Sequence, residues 1–329
     1  MDLYDKGYME TNITDQNAIK KNLINLSSLI GKALIIDYIL NIIFMVLVSL
    51  ILDAFKKLGI SFNYESISSM SDYSITFISE ILVFLWLIKK AKINNINFSY
   101  KKDRIGKGIW RYVIFLFSAQ LLGTICYMLI QLISAPFGIK WGGSELELPI
   151  NSAFDSIIYS IFVCLAAPVG EELFFRGAVL KSLQLYGSKF AIIISAVLFG
   201  LVHGNFEQIP FAFFAGLIFG YIAVKTDSLF YPIIFHIINN SWAVVHELLY
   251  RYVPNVFMNV VLITIMLIGA AGLIIAFQDR KELINSIDLI EADCIECSYN
   301  SIHKYFFKSF WIWCALIIMF IFCITSMMQ

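Results

Sequence analysis

Long apolar runs separated by short polar stretches set the pattern of this chain. Runs of about the length that crosses a bilayer as a helix, roughly 17 to 25 residues, lie near 33–52, 72–88, 109–134, 153–175, 190–205, 208–225, 229–249, 256–277 and 307–328. The pattern predicts an all-α fold, a polytopic transmembrane helical bundle of 8–9 spans. Residues 1–27 are polar and lack the basic, apolar and small-residue succession of a cleavable signal peptide, so they read as a cytosolic N-terminal tail. Residues 28–277 read as a transmembrane helical domain with its core motifs in 150–250, residues 278–306 as a polar cytosolic segment, and residues 307–329 as a C-terminal transmembrane helix. No repeat of fixed period and no low-complexity linker divides the chain further.

Composition sharpens this picture. With 59% hydrophobic and 15% charged residues and a mean hydropathy of +0.78, the chain lies far from soluble domains, which are about half apolar and a quarter charged. Zero net charge gives no reason to expect nucleic acid as a partner. The lipid bilayer and a membrane protein or peptide substrate are the partners expected. Between the second and third runs stand Lys89, Lys90, Lys92, Lys101, Lys102, Arg104, Lys107 and Arg111, and the positive-inside tendency places that linker in the cytosol. Threading from it puts Lys20, Lys21, the stretch Lys181 to Lys189, Lys225 and 278–306 inside, and 135–152 and 204–207 outside. The expected location is a cell membrane, with the N-terminus cytosolic, and the Lys, Ile and Asn richness points to a bacterium. Cys126, Cys164, Cys314 and Cys323 fall in apolar runs, so no disulfide framework is implied.

Ionisable groups at membrane depth are costly unless paired or hydrated, which makes each a functional candidate. Asp37 and Glu80 stand alone and read as structural, snorkelling or bonded to a neighbouring helix. The stretch AAPVGEELFFRG differs. Pro168 suits the first turn of a helix, where its missing N–H has no intrahelical partner, and Glu171 and Glu172 would then meet the positive end of the helix dipole. Glu172 and Arg176 stand four apart, the spacing of a helical ion pair. That leaves Glu171 without its own cation, the setting of a general base.

If Gly187 and Ser188 form the turn between two antiparallel helices, Glu171 and His203 both lie about 24 Å from it, at about 1.5 Å per residue. A carboxylate and an imidazole would then face each other at one depth and hold a water. His236 and Asn240, four apart on one helical face, can both donate hydrogen bonds toward one point, as an oxyanion needs. Counted from a turn near Asp227 they stand only about 14 and 20 Å up, so this hairpin must sit deeper than the first.

These residues match a known pattern. Glu171-Glu172-x-x-x-Arg176, Phe199-x-x-x-His203 and His236-x-x-x-Asn240, in that order on successive helices, resemble the CAAX protease and bacteriocin-processing family of intramembrane endopeptidases. The resemblance covers about residues 150 to 250. It implies that Glu171 and His203 activate water, that His236 and Asn240 hold the oxyanion, and that Glu172, Arg176 and Phe199 support them. Phe199 can only pack. The family includes both metalloproteases and glutamate proteases without metal. A zinc site of Glu171, His203 and His236 with an open position is conceivable, but no cofactor is the favoured reading, since Asn240 suits an oxyanion better than ligation.

Rival readings exist. A catalytically silent family member could serve as a bacteriocin-immunity or membrane binding factor. A proton-coupled transporter would need broken helices in two corresponding halves, and only one Pro-interrupted span carries the acids. His246-Glu247 lacks the second histidine of the helical zinc signature and reads as interfacial. Cys294 and Cys297 with His303 would make at most half a zinc site. Gly216 and Gly220 read as close helix packing within the chain.

Overall fold

Among the described residues each apolar run of the sequence lies largely on helix, and no strand occurs. The computed structural model describes residues 16–60, 64–100, 108–138, 153–291 and 299–325. The helices are α1 Gln16–Lys57, α2 Tyr64–Ala91 and α3 Ile109–Ser134. A continuous helical run from residue 153 to residue 186, here α4, follows. Next come α5 Ser188–Leu201, α6 Gln208–Thr226, α7 Phe230–Tyr252 and α8 Asn255–Gln278. The short α9 Arg280–Glu291 and α10 Tyr299–Phe306 lead to α11 Phe310–Thr325. Among the described residues five segments are long and apolar enough to cross a membrane: Asn17–Lys57, Ile109–Phe137, Asp155–Tyr186, Gln208–Thr226 and Asn255–Gln278. Ser188–Leu201 and Phe310–Thr325 are apolar but shorter.

Helix extends into the polar N-terminal stretch. α1 begins at Gln16, inside the stretch read as a tail, and Leu23, Leu26 and Ile30 are buried. Their three-to-four spacing makes an apolar stripe that Lys20, Lys21, Asn22 and Asn25 dilute in any windowed hydropathy. That stripe packs toward α10, where Phe306 is fully buried and its carbonyl accepts a hydrogen bond from Ser27 Oγ at 2.6 Å. Part of 278–306 is thus tied to the helical body. Cys294 and Cys297 lie outside the described residues, while the His303 ring meets Phe190 edge-on at 5.1 Å.

Among the described residues two larger apolar clusters and one small one hold the bundle. The largest joins α1, α2, α4, α5, α10 and α11, with Phe175, Phe190, Phe199 and Phe306 at its centre. The second gathers Tyr112, Phe115, Phe219, Tyr231 and Phe235 from α3, α6 and α7. α5 and α6 approach closely because Gly216 has no side chain: a Cβ there would lie 3.1 Å from Ala196 Cα and from Phe199 Cδ1. The small-residue pair is therefore packing within the chain.

The lysine-rich connections meet at one end of the bundle. Lys181 Nζ pairs with Asp227 Oδ1 at 2.8 Å, and Asn97 Nδ2 donates to the Asp227 carbonyl at 2.7 Å. Leu229 N–H returns a bond to the Asn97 carbonyl at 2.8 Å, and Arg111 pairs with Asp279 at 3.2 Å. A small pocket at this end touches Arg176 and Gly177 but none of Glu171, His203, His236 or Asn240.

Candidate active site

Pro168 does not start a helix. It lies inside α4, directly after a π-helical segment, Phe162–Ala166, in which Ala167 N–H bonds to the Phe162 carbonyl five residues back. A proline in a helix lacks the N–H for the carbonyl four residues earlier and its ring collides with that carbonyl. A widened turn takes up both faults, which is why such bulges mark functional helix segments. A second π segment, Leu173–Leu180, follows the glutamates. Glu171 and Glu172 therefore stand between two widened turns in mid-helix, with no free N–H groups of a first turn to meet them. This corrects the helix-start reading.

The two glutamates are unequal. Glu172 is fully buried, and its Oε1 accepts Arg176 Nη1 at 2.8 Å and His236 Nδ1 at 2.9 Å. Arg176 is itself buried, donates Nη2 to the Gly216 carbonyl at 3.2 Å, and lies over the Phe199 ring at 4.3 Å. The i, i+4 pair expected from sequence is present. Glu171 is bound to none of these, its side chain is 18% exposed, and its Oε2 has no hydrogen-bond partner while His236 Nε2 stands 3.7 Å away.

His236 is thus held between both carboxylates, its ring stacked on Phe219 at 4.8 Å and edge-on to Phe199 at 5.8 Å. The depth difference between the two hairpins has a clear origin. The α4–α5 turn is at Gly187, as expected, but the α6–α7 turn at Asp227 is level with Lys181, through their ion pair. From that common level Glu171 lies ten residues along α4 and His236 nine along α7, so the two arrive together.

The other two site residues sit differently from expectation. α5 ends at Leu201, and His203 lies in the turn that follows, before Gly204 with φ +67°. Its Nδ1 bonds to the Phe199 carbonyl at 2.8 Å. A carbonyl only accepts, so Nδ1 carries the hydrogen and Nε2 is unprotonated in the neutral ring. No hydrogen bond joins His203 to Glu171; Phe199 stands between the histidines, 5.0 Å from the His203 ring. Asn240 Nδ2 donates to the Val163 carbonyl at 2.9 Å, inside the π segment. Among the described residues no group of three or more His, Cys, Asp or Glu side chains is disposed to hold a metal ion. His246 is tilted against Trp242, and Glu247 pairs with Arg251 at 2.5 Å.

Sequence reasoning set one neighbour aside. Asp37 has the expected bond to an adjacent helix, accepting Ser79 Oγ at 2.7 Å. Glu80 does not. It is 8% exposed, its Oε2 has no partner, and a side chain at Gly170 would collide with that oxygen. The signal available was its position on a predicted span with no basic residue nearer than Lys89.

Residues 153–242 match the family model described as Type II CAAX prenyl endopeptidase Rce1-like. YdiL of Bacillus subtilis, a candidate membrane peptidase by its name, is 28% identical over 183 residues, 53% of this chain and 70% of its own length. The membrane-embedded CAAX protease MroQ of Staphylococcus aureus is 30% identical over 141 residues, 39% of this chain and 57% of its own. No solved structure matches the chain.

Proposed function

We propose that this chain, which carries a domain of the Rce1-like CAAX endopeptidase family at residues 153–242, is an intramembrane endopeptidase that cuts membrane-embedded or lipid-anchored proteins or peptides with a glutamate-activated water. The inequality of the adjacent glutamates carries this reading. Glu172 is wholly buried and its Oε1 is spent on Arg176 and His236, whereas Glu171 makes no such bond and is 18% exposed; the Oε2 of each is without a partner.

In this mechanism Glu171 takes a proton from water as the oxygen attacks the peptide carbonyl carbon. His203, whose Nε2 is free to accept, aids by drawing that proton on and returning it to the amine nitrogen as the C–N bond breaks. Such contacts are often long before substrate binds and tighten in the complex. The oxyanion forms near His236 and Asn240. Donation from His236 Nε2 calls on the doubly protonated ring, whose other N–H stays on Glu172. Asn240 must exchange its bond to Val163 for the oxyanion, and that carbonyl lies in a widened turn. Glu172, Arg176 and Phe199 hold His236 in place.

Quantitative terminal-peptide profiling of membranes from cells expressing wild type or Glu171→Gln, matched for expression, is the direct test. New protein ends made by the wild type and lost in the variant are expected, and they identify the substrates. Identical ends in both, with both proteins folded, would overturn the peptidase reading in favour of a silent binding factor.

A further inference from the structure

We propose that Glu80 is a second water-holding carboxyl of the site, placed across Gly170 from Glu171, and that it fixes the attacking water for the peptidase reaction proposed above. Three observations converge. Glu80 comes from a different helix, α2, yet its Oε2 occupies the space that a side chain at position 170 would fill, directly before Glu171. Glu171 and Glu172 from α4 and Asp37 from α1 are the carboxylates within electrostatic reach of it. Glu80 Oε2 and Glu171 Oε2 are both buried without a hydrogen-bond partner.

Buried polar atoms left without protein partners are where ordered water sits. A water has two hydrogens, and Glu80 Oε2 on α2 and Glu171 Oε2 on α4 can each receive one; Glu172 Oε2, also without a partner, belongs to the fully buried carboxylate held by Arg176 and His236. Glu171 takes one hydrogen as a proton when the water oxygen bonds to the carbonyl carbon. Glu80 accepts the other, which stays on the oxygen and leaves with the carboxyl product. Glu80 thereby orients the nucleophile and undergoes no net change. Gly170 is then required as the gap through which α2 reaches the reaction.

A structural Glu80 makes the opposite prediction. An unpartnered carboxyl buried against apolar neighbours is replaced by an apolar side chain of similar size at no cost, or with a gain. Glu80→Met, Glu80→Gln, Gly170→Ala and Glu171→Gln are compared in the full chain for thermal unfolding in lipid and for the protein ends they produce in cells. The expected result is separation of the two readouts. Glu80→Met unfolds no earlier than wild type but yields about ten- to a hundred-fold fewer ends, the worth of a hydrogen bond to a charged group. Glu80→Gln, whose amide oxygen still accepts, recovers part of the loss, and Gly170→Ala, which displaces Glu80, resembles Glu80→Met. Glu80→Met cutting like wild type while Glu171→Gln is silent would overturn this assignment and leave the peptidase reading standing. Loss of cutting in proportion to lost stability would overturn it too. No ends from the wild type would remove both.

Discussion

Arg176 shows what burial demands of a single residue. Its guanidinium and the Glu172 carboxylate are both shielded from solvent, joined at 2.8 Å, and the same carboxylate oxygen orients His236. Breaking such a pair from one side leaves an uncompensated charge and costs about 3–5 kcal/mol, whereas replacing both partners by apolar groups is often close to neutral. Arg176→Met is therefore expected to unfold well below wild type, and Glu172→Leu with Arg176→Met to recover most of that loss. Thermal unfolding of the four-member cycle in lipid measures it. A double variant no better than the single would show that the pair does not act as a unit. Glu171, Glu172 and Arg176 were legible in the sequence from their one- and four-residue spacing. The partner of Glu172 on α7 was not, because nothing in a linear pattern says which of several membrane-depth groups a buried carboxylate will meet.

At the scale of elements, α4 is the unusual part. Its apolar length marks it as a span, but the placement of its acids depends on two widened turns around Pro168. Proline costs a regular helix about 3 kcal/mol relative to alanine, so Pro168→Ala should not lower the unfolding temperature. With an N–H restored for the Cys164 carbonyl, the widened turn can close to α geometry. Closing it turns the following residues by about 100°, which carries Glu171 away from His236. Unchanged or raised stability with reduced production of new protein ends is the expected outcome, read by the same unfolding and profiling measurements. Full cutting by Pro168→Ala would show that packing, and not the proline, holds the wide turn. The sequence marks the proline but supports a helix start equally well; the choice rests on α4 being continuous and packed along its length.

For the whole molecule, the gathered ion pairs Lys181–Asp227 and Arg111–Asp279 put the lysine-rich connections on one face. Positive-inside bias predicts that this face is the cytosolic one. A cysteine in place of Lys90, in a cysteine-free chain, should react with an impermeant maleimide only after the inner face is opened, and one in place of Glu207 in intact cells; the reverse would invert the orientation. The sequence by itself determined the solvent of this protein, its helices and its candidate acids and histidines, because bilayer-length apolar runs and i, i+4 spacings are local properties of the chain. It did not show the helix over residues 16–27, where a buried stripe of Leu23, Leu26 and Ile30 is thinned by polar neighbours. Only the tertiary structure decided that Asp227 is level with Lys181, that His236 therefore reaches both glutamates, and that Glu80 fills the gap at Gly170. Those outcomes depend on how far one hairpin slides against another, and that offset is fixed by side-chain contacts between helices distant in sequence.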